Sequence, residues 1–211
     1  ASLFLLSVTN QISQEVAVIP FLWIVPLAIY LLSFILAFSD SRWYERRVYT
    51  LLFSFASLAT LWMLTQAESL NVLLQIAIYN LLLFLACMIC HGELYRLRPH
   101  AGHLTSFYLM VSIGGAAGGI FVNLIAPFIF TGYWEFYLAW LLTAILLIVM
   151  LLSHLSARVT IQARVMGFSF LAAVVLLALS LNQYRNALFV ERNFYGVIRV
   201  KQFSKNAIAM I

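Results

Sequence analysis

Apolar runs long enough to cross a bilayer occupy most of this 211-residue chain. Hydrophobic residues make up 64% of the sequence and charged residues 9%, whereas a soluble globular domain usually carries about 25% charged residues. A spanning segment needs about 20 mostly apolar residues, and its backbone must satisfy its own hydrogen bonds by forming a helix. We therefore predict an all-α integral membrane protein, a bundle of about six transmembrane helices.

Short polar segments separate the predicted spans. The spans run from about Val16 to Phe38, Val48 to Thr65, Leu70 to Cys90 and Leu104 to Phe130, with a fifth ending at about Leu152 and a sixth near Asn182. Pro26 removes a helix hydrogen bond and is expected to bend the first span. Residues 1–182 are thus predicted to be one multi-span domain. The opening residues Ala1-Ser-Leu-Phe-Leu-Leu resemble the tail of an earlier helix, so we expect that an N-terminal part of this domain is missing. The last residues, Ala207 to Ile211, also stop inside an apolar stretch.

Basic residues in the loops predict an orientation. Loops 39–47, 91–103 and 153–164 contain seven arginines, whereas the loops after the second and fourth spans contain no lysine or arginine. The positive-inside rule places the arginine-containing loops in the cytoplasm. Six crossings then place the tail after Asn182 outside, although this tail is also basic. Two explanations remain open: a downstream domain is exported despite its charge, or one of the six apolar runs does not cross the membrane fully. Since most of the basic residues lie in short loops between spans, we expect no nucleic-acid partner.

The segment Cys87-Met-Ile-Cys90-His91 matches the pattern for covalent attachment of c-type haem. That attachment requires an accessible, extended segment, whereas these cysteines lie in an apolar run. We favour the interpretation that both are small core residues followed by an interfacial histidine. No cofactor is therefore expected in this chain.

Four side chains near the third loop are candidate metal ligands, because imidazole and carboxylate groups suit zinc or iron. They are His91, Glu93, His100 and His103. His91 and Glu93 do not share a helix face at a spacing of two, so we favour a solvated cytoplasmic loop. No residue in the chain is predicted to be catalytic.

Glycines in the fourth span form two overlapping small-xxx-small pairs, Gly114 with Gly118 and Gly115 with Gly119. Such pairs let two helix backbones approach closely, which favours helix packing in membranes. The alternative is a broken helix that lines a transporter's substrate site.

Three further polar residues could form a polar site in such a transporter. Asn80 and Asn123 lie at depth in apolar runs, and Glu15 precedes the first complete span. The competing interpretations are hydrogen bonds between helices for the asparagines and an external capping loop for Glu15.

The last residues, 183–211, change in character. Aromatic and β-branched residues between Phe194 and Val200 predict a strand, and Ser204-Lys-Asn206 predicts a turn into a second strand from Ala207 to Ile211. The chain is therefore expected to end in the start of a β-hairpin from a truncated soluble domain.

Three segments carry a resemblance to a known family. The span Pro20–Phe38, the motif Cys90-His-Gly-Glu-Leu94 with Arg98-Pro99, and the segment Arg192–Val200 resemble bacterial membrane-bound spermidine synthase-like proteins. These proteins fuse a multi-span domain to an aminopropyltransferase-type domain. The resemblance implies the second part of such a transmembrane domain, multi-pass in the bacterial inner membrane, followed by a linker and the first strands of a truncated aminopropyltransferase-like domain.

This resemblance carries no catalytic residue into the chain, so enzyme activity would belong to a domain further downstream. We expect a membrane anchor or scaffold for the fusion protein. The alternatives are an accessory transmembrane subunit of a larger complex and a transporter-like bundle that binds polyamines. The expected partners are the lipid bilayer and other membrane helices.

Overall fold

The computed structural model describes residues 1–13, 21–66, 70–152, 189–193, 196–204 and 207–210. The described part is predominantly helical. Three helical stretches are long and apolar enough to cross a membrane, namely Arg46–Thr65, Val72–Arg96 and Ala101–Ile129. Two shorter apolar helices accompany them, Ile24–Ser39 and Trp134–Met150. The predicted sixth span lies outside the described residues, as does Glu15.

The helices follow one another with short connections. In chain order they are α1 Ser2–Gln11, α2 Ile24–Ser39, α3 Arg46–Thr65, α4 Val72–Arg96, α5 Leu104–Ile120, α6 Ala126–Ile129 and α7 Trp134–Leu152. Single 3-10 turns, Ser41–Trp43 and Ala101–His103, precede α3 and α5. A π-helical segment, Phe121–Ile125, joins α5 to α6.

Three strands follow, β1 Phe189–Asn193, β2 Gly196–Ser204 and β3 Ala207–Met210. They pair antiparallel in the order β1-β2-β3. The register places Val190 opposite Arg199 and Lys201 opposite Ala209. The sequence pattern did not predict β1.

The core forms around α4, the most deeply buried of the long helices. Its spanning window is 56% buried, compared with 11% for the stretch that contains α5. Helices α2 and α3 pack along it, α1 also contacts it, and α7 packs against α1. The indole N–H of Trp140, a fully buried residue of α7, donates to Ser57 Oγ of α3 at 3.0 Å. Apolar packing and this buried hydrogen bond together join α7 to the central helices.

Two predicted boundaries differ from the structure. Helix α2 begins at Ile24, so Pro26 lies in its first turn. The backbone N–H groups of a first turn have no partner within the helix, so a proline there removes no hydrogen bond. The prediction that Pro26 bends the helix is therefore wrong. Helix α4 continues to Arg96 instead of ending at Cys90, because the polar residues His91 and Glu93 find partners inside the protein. The loop predicted over 91–103 therefore begins at residue 97.

A proline explains the irregular helix at the end of the third long stretch. The ring of Pro127 would clash with the carbonyl group of residue 123 in a regular α-helix. The π-helical turn over Phe121–Ile125 changes the hydrogen bonding at that position. The chain therefore stays helical through Ile129.

One end of the bundle collects the loop arginines. Arg46, the first residue of α3, pairs with Glu93 near the end of α4, and Phe38 of α2 lies edge-on to Tyr95 of α4. We call this the arginine-rich end; it comprises segments 39–47 and 96–103. These segments contain all five arginines of the described helices and loops.

The opposite end holds the start of α7 and is called the docking end, residues 130–135. Phe136 lies edge-on to Tyr79 of α4, with ring centroids 5.5 Å apart. Because an α-helix rises 1.5 Å per residue, this level lies about 21 Å along α4 from Glu93. Asn10 of α1 also reaches Glu135 there.

Helix α3, about 30 Å long, matches the thickness of a hydrocarbon core.

The glycines of α5 lie against α1 on one side only. A Cβ added to Gly118 would lie 3.1 Å from the Leu3 backbone nitrogen, and one added to Gly115 would lie 3.5 Å from Ser2 Oγ. Gly119 lies near the Leu6 side chain at 3.9 Å. A Cβ on Gly114 would meet nothing within 4 Å. The contact with α1 thus depends most on Gly118.

We expect Gly118→Leu to lower the melting temperature of the detergent-solubilised protein, with a cost of about 2 kcal/mol from overpacking. Gly114→Leu is the matched control, because its side chain would project into open space. Thermal unfolding of both variants tests this. Equal melting temperatures for the two variants would contradict the close contact between α1 and α5.

Candidate functional site

A buried carboxylate organises the arginine-rich end. Glu93 of α4 is 4% exposed and receives two hydrogen bonds from Arg46, from Nε to Oε1 and from Nη2 to Oε2, both at 2.6 Å. This bidentate geometry is the strongest pairing that an arginine and a carboxylate can make. Arg96, one turn further along α4, adds a longer contact of 3.6 Å to Oε1.

Tyr44 completes the network from the loop that precedes α3. Its hydroxyl group donates to Glu93 Oε1 at 2.9 Å. Burial, followed by the adjacent negative charge of Glu93, raises the pKa of Tyr44 well above its usual range. The phenol therefore stays protonated at physiological pH and keeps its role as a donor.

Gly92 is required by this arrangement. A Cβ at residue 92 would fall within the ring of Tyr44, so the ring lies directly on the α4 backbone. The sequence alone gave no signal for this contact, since a lone glycine near the end of an apolar run has no recognisable partner.

His91 lies on another face of α4, packed against α2. Its Nδ1 is 3.1 Å from Ser33 Oγ, and its ring lies edge-on to Tyr30 and Phe34 at 5.0 and 5.2 Å. Ser33 donates its proton to the Tyr30 carbonyl group at 2.7 Å. His91 is thus a buried histidine with its polar contact supplied by α2.

A pocket of about 250 Å³ adjoins the Glu93 network. It is lined by Ala37 of α2, Tyr44, and Gly92, Tyr95, Arg96 and Arg98 at and after the end of α4. Each of its two arginines makes a cation–π contact with a tyrosine of the lining. The Cζ atom of Arg96 is 5.1 Å from the Tyr44 ring centroid, and that of Arg98 is 4.9 Å from the Tyr95 ring centroid.

The candidate metal ligands do not converge. His91 faces α2 and Glu93 faces Arg46, while His100 and His103 are exposed in the following loop. Among the described residues no group of three or more metal-ligating side chains occurs. Cys87 is buried within α4 and Cys90 is half-buried, so the haem-like motif is a helical segment.

The two intramembrane asparagines have different surroundings. Asn80 is buried and donates to the Ile76 carbonyl group of its own helix at 2.8 Å. Within the described part of the chain, its Oδ1 has no hydrogen-bond partner. Asn123 lies exposed in the π-helical segment. The structure thus does not bring these two residues into one polar site.

A second buried ion pair lies at the docking end. Arg192 of β1 donates from Nη1 to Glu135 Oε2 at 3.0 Å and from Nη2 to Oε1 at 2.8 Å. Nη1 also donates to the Gly132 carbonyl group, and the guanidinium lies 4.9 Å from the Tyr133 ring centroid. The two side chains are 0% and 5% exposed, Glu135 being the more buried. This pair joins the strands to the helices.

Neither ion pair was predicted from sequence. The partners of Arg46 and Glu135 lie 47 and 57 residues away in the chain, beyond the reach of a local sequence pattern. The sequence offered one signal, the rarity of carboxylates: the chain has only seven, and a carboxylate beside an apolar run needs a partner.

No protein-family model, curated protein or solved structure matches this chain.

We expect Glu93→Gln to destabilise the protein by about 2–3 kcal/mol. Breaking a buried pair typically costs about 3–5 kcal/mol, and the loss is smaller here because Arg46 keeps 20% of its side chain exposed. Thermal unfolding in detergent measures the change. Glu45→Gln, which alters an exposed carboxylate in the same segment, is the control; an equal effect in both variants would contradict the network's role.

Proposed function

We propose that the helical part is a membrane anchor and scaffold that holds the strand region at the docking end. The observation that carries this proposal is the Glu135–Arg192 pair, which is almost fully buried. Burying an arginine side chain is costly unless an opposite charge and hydrogen-bond acceptors replace the water it loses. Arg192 can therefore contribute to docking only if the helical part supplies both. Glu135, the Gly132 carbonyl group and the Tyr133 ring meet that requirement.

Glu135 suits this role because of its position in α7. It is the acidic residue in the first turn, where the helix dipole stabilises a negative charge. Asn10 of α1 lies 3.5 Å from its Oε1. The carboxylate is therefore fixed by two helices before β1 contributes its arginine.

The resemblance to spermidine synthase-like fusions extends this proposal to the full protein. In that case β1–β3 begin an aminopropyltransferase-like domain, and the bundle anchors it in a bacterial inner membrane. With the arginine-rich end in the cytoplasm, the docking end and the strands lie outside. Such a placement separates the strand region from a cytoplasmic nucleoside-derived substrate and favours the scaffold function over catalysis.

The polyamine-binding alternative receives no support from the pocket. Arg96 and Arg98 line it, and a polycation would be repelled by both guanidinium groups. The carboxylate beside the pocket, Glu93, already receives donors from Arg46 and Tyr44. A polyamine site needs carboxylates that are free to accept.

Docking through the ion pair predicts a change in hydrogen exchange. We expect Glu135→Gln and Arg192→Gln each to raise amide exchange in residues 189–204 at least several-fold, because each leaves a buried charge without its partner. The double variant should cost less than the sum of the single variants, which gives a measurable coupling energy. Exchange in α4 should stay unchanged.

Glu45→Gln, at the arginine-rich end, is the control for this experiment. It removes an exposed carboxylate and should leave exchange in the strands unaffected. Strand exchange that is identical in wild-type protein and both single variants would contradict docking through this pair.

The orientation is tested by labelling single cysteines in intact cells with a membrane-impermeant thiol reagent. Thr131→Cys at the docking end should react from outside, whereas His100→Cys should react only after permeabilisation; both positions are exposed. The unsubstituted chain controls for labelling of Cys87 and Cys90. The reverse pattern would place the strands in the cytoplasm and favour the enzyme interpretation of the full protein.

A further inference from the structure

We propose that the pocket at the arginine-rich end binds a phosphate group, carried by an anionic lipid headgroup or a soluble phosphoester. The pocket lies at the last turn of α4, and Arg96 and Arg98 are among the residues that line it. Tyr44 and Tyr95 supply aromatic walls, and Ala37 supplies an apolar wall.

The local charge favours an anion. Glu93 lies next to the pocket, but its oxygens are occupied by Tyr44 and by the bidentate contact with Arg46. Arg96 makes only a 3.6 Å contact with it. Among the described residues no carboxylate lies within 4 Å of Arg98. The pocket therefore retains positive charge that the protein itself does not neutralise.

Both arginines are held in place by their tyrosines. The distances of 5.1 and 4.9 Å place each guanidinium over a tyrosine ring, in a cation–π contact. Two guanidinium groups in one pocket supply charged N–H donors of the kind that phosphate oxygens accept. Because the contact with the ring restricts each side chain before a ligand arrives, less conformational entropy is lost on binding.

The size and position of the pocket limit the ligand. A volume of about 250 Å³ is smaller than most sites for drug-sized molecules and suits a headgroup or a small phosphoester. The pocket lies where α2 and α4 end and α3 begins, the level at which a spanning helix meets the headgroups. A lipid phosphate and a soluble phosphate can both reach this level.

The test uses the full chain purified in a neutral detergent. Binding is titrated with sodium phosphate against sodium chloride at equal ionic strength, and with short-chain phosphatidylglycerol against short-chain phosphatidylcholine. We expect saturable binding of at least one phosphate-bearing anion. Binding of phosphatidylglycerol alone identifies a lipid headgroup site, whereas binding of inorganic phosphate identifies a site that also accepts soluble phosphate.

Three variants assign the binding to the pocket. Arg98→Gln should weaken the affinity about tenfold or more, because it removes a charged donor pair, and Arg98→Lys should restore part of it. Arg47→Gln should change the affinity less than twofold, since Arg47 is exposed at the same end but does not line the pocket. Circular dichroism confirms that each variant is folded.

Two outcomes would overturn the proposal. One is no saturable binding of either anion beyond its chloride or phosphatidylcholine reference. The other is an equal loss of affinity in Arg47→Gln and Arg98→Gln, which would mean that general attraction to a basic surface, and not the pocket, binds the anion.

Discussion

The contact between Glu93 and Arg46 determines how the arginine-rich end is built. A carboxylate at the end of an apolar helix is costly to bury without a partner, and Arg46 supplies a bidentate one at 2.6 Å. With its charge satisfied, Glu93 can remain helical and α4 continues to Arg96. That extra turn places Arg96, and Arg98 just beyond it, beside Tyr44 and Tyr95, and so creates the pocket.

The same requirement operates at the other end of the bundle with a different consequence. Glu135 is anchored in the first turn of α7, and its partner Arg192 comes from β1. The first ion pair joins two helices, whereas the second joins a helix to a strand. In both cases a buried ion pair joins two elements that are distant in the sequence. The two ion pairs lie at opposite ends of the bundle, about 21 Å apart along the apolar helix α4.

The apolar helices between these ends are held by close packing and a few polar contacts. Gly118 allows the backbones of α1 and α5 to approach, and Trp140 donates to Ser57 across the core. Buried serine and threonine hydroxyl groups mostly donate to carbonyl groups three or four residues back in their own helices, as Ser54 and Thr60 do. Such bonds satisfy the hydroxyl without requiring a partner helix.

The sequence by itself determined the helical, membrane-spanning character of the chain, because backbone groups in hydrocarbon must pair within their own segment. It also located the arginine-rich loops and the change of character after residue 182. The sequence did not predict the partners of Glu93, Arg46, Glu135 and Arg192, nor the contact of Tyr44 with Gly92. Hydropathy is a property of consecutive residues, whereas an ion pair between residues 47 or 57 positions apart exists only once helices have packed. The tertiary structure therefore decided which polar residues are buried and what they contact.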